Sequence, residues 1–124
     1  ILTSKATFSA AEDFTYALKN LKRAVVVGEA TGGGAHPTRK FKVSEHFALM
    51  VPFARSKSPI TEQDWEGAGI PPDIAVPASA ALDTAYRAAL QRIAATTVDV
   101  GRRRAAEALL SAHSARVGPK AHRP

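Results

Sequence analysis

Residues 24–37 constrain this chain more than any other stretch. Ala24-Val25-Val26-Val27 is a short, unbroken apolar run, and the residues after it include Gly28, Gly32, Gly33, Gly34 and Pro37. A continuous valine-rich run of this length fits a central strand of a parallel sheet, buried on both faces, better than a strand with one wet face. Four glycines in seven residues then exclude a regular helix or strand, because each would lose too much backbone freedom. The chain must carry a buried strand that opens into a glycine-rich loop.

A helix is predicted just before that strand. Over residues 9–21, Ala11, Phe14, Ala17, Leu18 and Leu21 recur at three- and four-residue steps, with Asp13, Lys19 and Lys22 on the other side. Ser9-Ala10-Ala11-Glu12 has the form of a capping box, in which the serine caps the first turn and the glutamate reaches back. The same position can present a hydroxyl nucleophile where free N–H groups at a helix start stabilise an oxyanion. The two roles are compatible, since such a nucleophile sits at the N-cap.

From residue 41 to residue 53 every second position is apolar apart from Glu45, and Glu45-His46 interrupts the pattern. This predicts a hairpin turning near residues 44–46, with Pro52 at its end or edge. Residues 54–77 hold Pro59, Gly67, Gly69, Pro71, Pro72 and Pro77 and read as a long irregular segment with a brief strand at residues 74–76. Trp65 argues that this segment is packed. A helix capped by Ser79 is predicted to reach residue 95, with a thinner one over residues 102–115 and a disordered end at residues 118–124.

The net charge of +6 is concentrated at one end. From residue 101 onward six cations face a single acid, whereas the preceding part holds 11 basic and 10 acidic residues. That tail lacks the aromatics expected of a nucleic-acid surface, so it reads as a solvated basic extension. The absence of cysteine excludes zinc–thiolate, disulfide and thiol-redox chemistry. No apolar run approaches the roughly 20 residues that cross a bilayer. A phosphate loop is excluded because Gly34-Ala35 stands where lysine and a hydroxyl are needed, and Pro37 would spoil the helix of a dinucleotide site. No cluster at metal-ligand spacing is present, so neither metal nor cofactor is expected. His36 lies in the glycine loop; His46, His113 and His122 lie in the hairpin turn and tail. Glu66, beside Trp65, is a carboxylate that an indole neighbour can perturb or that can orient a base.

Three blocks together resemble the catalytic domain of the S41 peptidases. They are Leu2-Thr3-Ser4 with Ser9-Ala10-Ala11-Glu12, then Val27-Gly28-Glu29-Ala30-Thr31-Gly32-Gly33-Gly34, then Glu66-Gly67-Ala68-Gly69-Ile70-Pro71-Pro72-Asp73-Ile74. That family includes the C-terminal processing (tail-specific) proteases and the tricorn core, and its fold recurs in interphotoreceptor retinoid-binding protein. The loop Thr31-Gly32-Gly33-Gly34-Ala35-His36-Pro37 is most similar to this last branch and its bacterial peptidase cousins.

The resemblance implies an α/β fragment of the crotonase/ClpP-like superfold, with βα units, a hairpin and C-terminal helices. Residues 1–95 would be the C-terminal part of the catalytic domain and residues 96–124 a basic extension. Ser9 falls on the nucleophile and the Ala10 N–H on an oxyanion donor, with Gly32, Gly33 and Gly34 beside the substrate. Glu66 matches a glutamate of the tricorn-type catalytic group. The general-base lysine of the processing proteases aligns with Gly34, which leaves the role to His36 or to a histidine upstream. The implied activity is serine-type hydrolysis of peptide bonds near the C-termini of protein substrates, in a periplasmic or other extracytoplasmic setting. The implied partners are a peptide or unfolded protein and the N-terminal part of the same domain, with a homo-oligomer left open. The chain alone is expected to show little activity. The alternative is a catalytically silent binding module for a retinoid, a fatty acid or a peptide tail.

Overall fold

The computed structural model describes residues 1–117, so the predicted disorder of residues 118–124 lies outside the described residues. Packing divides the chain between Ala81 and Leu82.

In the first unit, β1 (Leu2–Thr3), α1 (Ala10–Asn20) and β2 (Val27–Gly28) form a β–α–β unit, and β5 (Ile74–Ala75) completes a parallel sheet of order β1-β2-β5. Leu2 pairs with Val27 and Val27 with Ile74. The valine run is therefore the central strand, with Val26 and Val27 fully buried. Gly28 is required there: at φ +135° a Cβ would stand 2.0 Å from the Thr3 carbonyl oxygen. Asp73 ties the helix to the sheet, accepting the Val26 N–H at 2.8 Å and the Lys19 ammonium at 2.6 Å. The Lys19 bond, then the Val26 N–H, hold the Asp73 carboxyl below the usual range against a smaller opposing effect of burial.

The face that α1 buries differs from the expected one. Glu12 and Thr15 are buried, whereas Phe14 and Leu21 of the apolar stripe are more than half exposed. The cause is the glycine loop, which packs its backbone N–H groups against the polar face and so makes Glu12 the inward residue.

Antiparallel β3 (Thr38–Lys42) and β4 (Ala48–Pro52) form the predicted hairpin, with Lys40 opposite Met50. Every residue of both strands is exposed. Residues 54–73 fold over the loop and bury Trp65 and Ile70, which pack with Ala35 and the partly buried Tyr16.

α2 (Ala78–Thr96) begins one residue before Ser79, so Ser79 lies in its first turn instead of capping it. Pro77 takes the preceding place and its carbonyl accepts the Ala80 N–H at 2.9 Å, as its fixed φ suits. α3 (Val100–Val117) is capped by Asp99, whose carboxylate accepts the Arg102 N–H at 2.8 Å. In the second unit Leu90 and Ala106 are buried, and the Tyr86 and His113 rings meet edge-on at 5.7 Å.

Candidate active site

Ligand sites of parallel sheets lie outside the carboxyl ends of the strands. Two connections leave that edge here: residues 4–9 follow β1, and residues 29–37 follow β2. The first is a tight turn, with the Thr7 N–H on the Ser4 carbonyl at 3.0 Å and the Ser4 N–H on the Thr7 hydroxyl at 3.0 Å. It delivers Ser9 to the start of α1.

Ser9 has φ 55° and ψ −121°. An L-residue avoids this region, and holding one there costs about 1–3 kcal/mol. The surroundings over-determine it. Its N–H donates to Glu12 Oε2 at 2.8 Å, and its carbonyl accepts the N–H groups of Glu12 and Asp13 at 2.8 and 3.0 Å. Both partners of the expected capping box are in place. Glu12 reaches back as expected, but the Ser9 hydroxyl merely faces the first turn without a capping hydrogen bond, because the Glu12 N–H is already taken by the Ser9 carbonyl. Ser9 is exposed, and the neighbouring Ala10 N–H has no acceptor among the described residues. A strained turn that lifts a serine hydroxyl at the mouth of a helix is the arrangement of a nucleophile elbow.

The second connection is held by two carboxylates. Glu12, fully buried, accepts from the Thr31 hydroxyl and from the N–H groups of Gly33 at 2.7 Å and Gly34 at 2.8 Å. Glu66 accepts the next two N–H groups, those of Ala35 at 2.6 Å and His36 at 2.9 Å. The Gly32 N–H goes to the Thr7 carbonyl at 2.9 Å, which ties the two connections together. Burial works to raise the Glu12 carboxyl, yet the bonds from Thr31, Gly34, Gly33 and Ser9 together outweigh it and leave it below the usual range.

Ser9, Ala10 and Gly34 line one cavity of about 210 Å³ together with Asp13, Ala35, Pro37, Ser56 and Trp65. Of the residues singled out in the sequence, these three come together around the hydroxyl. Gly34 contributes a wall, and the N–H groups of Gly32, Gly33 and Gly34 are all engaged internally. Across that wall Gly34 meets Phe8, whose ring would stand 2.2 Å from a Cβ at residue 34. His36 and Glu66 do not line the cavity. The His36 ring lies between two acids, 3.4 Å from Asp64 and 3.8 Å from Glu66. Asp64 also takes a hydrogen bond from Arg55, the main cause that holds its carboxyl low. Glu66 acts on the loop backbone. Among the described residues no group of acids, histidines or cysteines could hold a metal ion.

Sequence reasoning missed the reach of Glu12, which it placed within one helical turn although it also grips a loop 21 residues away. The available signal was the glycine loop itself, whose closely spaced N–H groups need an acceptor. Asp64 was also missed, and only its place beside Trp65-Glu66 pointed to it.

Residues 1–76 match the sequence model of peptidase family S41. The carboxyl-terminal-processing peptidase 2, chloroplastic, of Arabidopsis thaliana is 38% identical over 79 residues, covering 64% of this chain and 15% of that protein. The solved structure of a photosystem II D1 C-terminal processing protease superposes with a TM-score of 0.52 at 30% identity, over 62% of this chain and 20% of that one. This chain therefore spans a fifth or less of either relative's length. No helix among the described residues is long and apolar enough to cross a membrane. A parallel β–α–β core that delivers the serine of the first motif block to a cleft, and the match over residues 1–76, place this chain in peptidase family S41, as an α/β fragment of its fold.

Proposed function

We propose that this chain carries the nucleophile segment of a serine peptidase that hydrolyses peptide bonds near the C-termini of protein substrates. Ser9 Oγ attacks the carbonyl carbon, the Ala10 N–H receives the developing oxyanion, and the substrate runs extended beside the glycine loop. The observation that carries this reading is the strained Ser9 backbone, with an exposed hydroxyl that makes no capping hydrogen bond and an unengaged N–H beside it. Glu12 and Glu66 position the loop that walls the cleft. The base comes from outside the Ser9 cavity: His36, which lies between the lining residues Ala35 and Pro37, or a histidine beyond this chain. An extracytoplasmic location, the periplasm in a bacterium, belongs to the same proposal.

The test uses the whole protein that carries this chain, a peptide with an apolar C-terminus and a fluorophosphonate probe. Ser9→Ala is expected to abolish labelling and to lower turnover by at least about 10³-fold. Unchanged turnover would remove Ser9 from the mechanism.

A second reading, a silent binding module, is favoured by Gly34 at the lysine position and by the engagement of His36 with Asp64 and Glu66. It expects saturable binding of a peptide, fatty acid or retinoid with no adduct at Ser9.

A further inference from the structure

A second cavity, of about 200 Å³, lies along the same helix and is not accounted for by the attack on a carbonyl. Its apolar wall is made by Tyr16, Ala17, Leu21, Pro59, Ile60 and Trp65. Trp65 and Asp13 line both this cavity and the one at Ser9. The α1 residues of the two cavities, from Ser9 and Ala10 through Asp13 to Tyr16, Ala17 and Leu21, fall at three- and four-residue steps and so form one stripe. Opposite them runs a single strand of chain, with Ser56 at the Ser9 end and Ile60 at the other. The cavities are two compartments of one trough, with Trp65 between them.

The far compartment is built rather than incidental. The Tyr16 hydroxyl bonds the Thr61 hydroxyl at 3.2 Å, and the Asn20 amide bonds the buried Ser58 hydroxyl at 3.3 Å, fixing residues 58–61 against the helix. The Tyr16 and Trp65 rings pack with centroids 5.1 Å apart. Leu21 and Ile60 nevertheless stay more than half exposed. Trp65 is 3% exposed, and its indole Nε1 is buried with no hydrogen-bond partner among the described residues. Native interiors rarely leave such a donor unpaired.

We propose that this compartment is a specificity pocket that receives one uncharged apolar side chain, Leu- or Phe-like, of the peptide that Ser9 attacks. The inference rests on the peptide-hydrolase reading and adds the side-chain class to it. Pockets for drug-sized ligands span roughly 300–1,000 Å³, so this compartment by itself takes a single side chain and not a whole retinoid or long acyl chain. Its two charged wall residues, Asp13 and Lys57, are both exposed and opposite in sign, which gives no preference for a charged side chain. Tyr16 and Ala17 stand roughly 11 Å along the helix from Ser9, at 1.5 Å per residue. An extended peptide covers that distance in about three residues.

Because Trp65 is the only tryptophan, its fluorescence in the 124-residue chain reports the pocket directly. The probes are N-acetyl-leucine amide, N-acetyl-phenylalanine amide and N-acetyl-aspartate amide. Saturable emission changes are expected with the first two, at least tenfold weaker with the aspartate compound and at least tenfold weaker in Ile60→Asn or Leu21→Asn, both at exposed positions. Ser9→Ala should bind as the parent does. No saturable change with the leucine or phenylalanine compound, equal response to aspartate, or indifference to both substitutions would overturn the pocket. Saturation in the chain, together with no fluorophosphonate labelling of Ser9 in the whole protein that carries it, would uphold the pocket while removing the hydrolase reading.

Discussion

The glycine loop and the hairpin that follows it are adjacent in sequence and opposite in construction. From Thr31 to His36 every backbone N–H is bonded outside the loop: to the Ile70 and Thr7 carbonyls, to Glu12 and to Glu66. From Thr38 to Phe53 the bonds run mainly from strand to strand, and Phe41, Phe47, Leu49 and Phe53 are all at least half exposed. Richness in apolar residues therefore does not mark the more buried of these two segments. Two carboxylates do, by satisfying a backbone that has few side chains to pack.

The sharpest way to break this contrast is to remove the inner carboxylate. Glu12→Ala leaves the Thr31 hydroxyl and the Gly33 and Gly34 N–H groups without their acceptor, and each buried orphan costs about 1–3 kcal/mol. A loss of at least about 3 kcal/mol is expected in urea unfolding. A loss below 1 kcal/mol would mean that the loop is held by other contacts. The same group sets a pH dependence. The folded Glu12 carboxyl lies below its unfolded value of roughly 4.3, so its contribution is complete above that pH and is lost as pH falls through the folded value. Glu12→Gln is expected to flatten that acid limb of the stability curve.

A smaller effect of opposite sign is expected at Ser9. Glycine adopts φ 55° without the strain, so Ser9→Gly should raise stability by about 1 kcal/mol, whereas Ser9→Ala should not. Both variants lose the probe. An equal response of the two in thermal unfolding would mean that the Ser9 backbone stores no strain. Smallest of all, Phe47→Ser at the hairpin turn, where the side chain is 74% exposed, should change stability by less than about 0.5 kcal/mol. A larger loss would show that the hairpin packs as tightly as the loop.

The elements were legible where a period or a run of one residue type fixed them. The valine run gave the central parallel strand, the alternation gave the hairpin, and the three- and four-residue steps gave α1. The inward face of α1 was not legible from those steps, because it is decided by the loop N–H groups that converge on Glu12. The start of α3 was misplaced for a local reason, since Asp99 caps it and Gly101 sits within its first turn. At the site, Ser9 and Ala10 were named through the family resemblance, and the structure sets both in one cavity with Gly34. The partners of Glu66 could not be named, because its bonds to Ala35 and His36 bridge about 30 residues and involve only main-chain atoms that every sequence offers.

The contact between Phe8 and Gly34 bears on how such a cleft changes over time. Gly34 walls the Ser9 cavity, and the benzyl group of Phe8 fills the space that any longer substituent there would enter. Phe8 is more than half exposed and so free to swing aside, but only by uncovering the glycines it shields. Placing an amine at that point is thus a two-site problem, and a longer side chain at residue 34 is expected to be tolerated only together with a smaller one at residue 8.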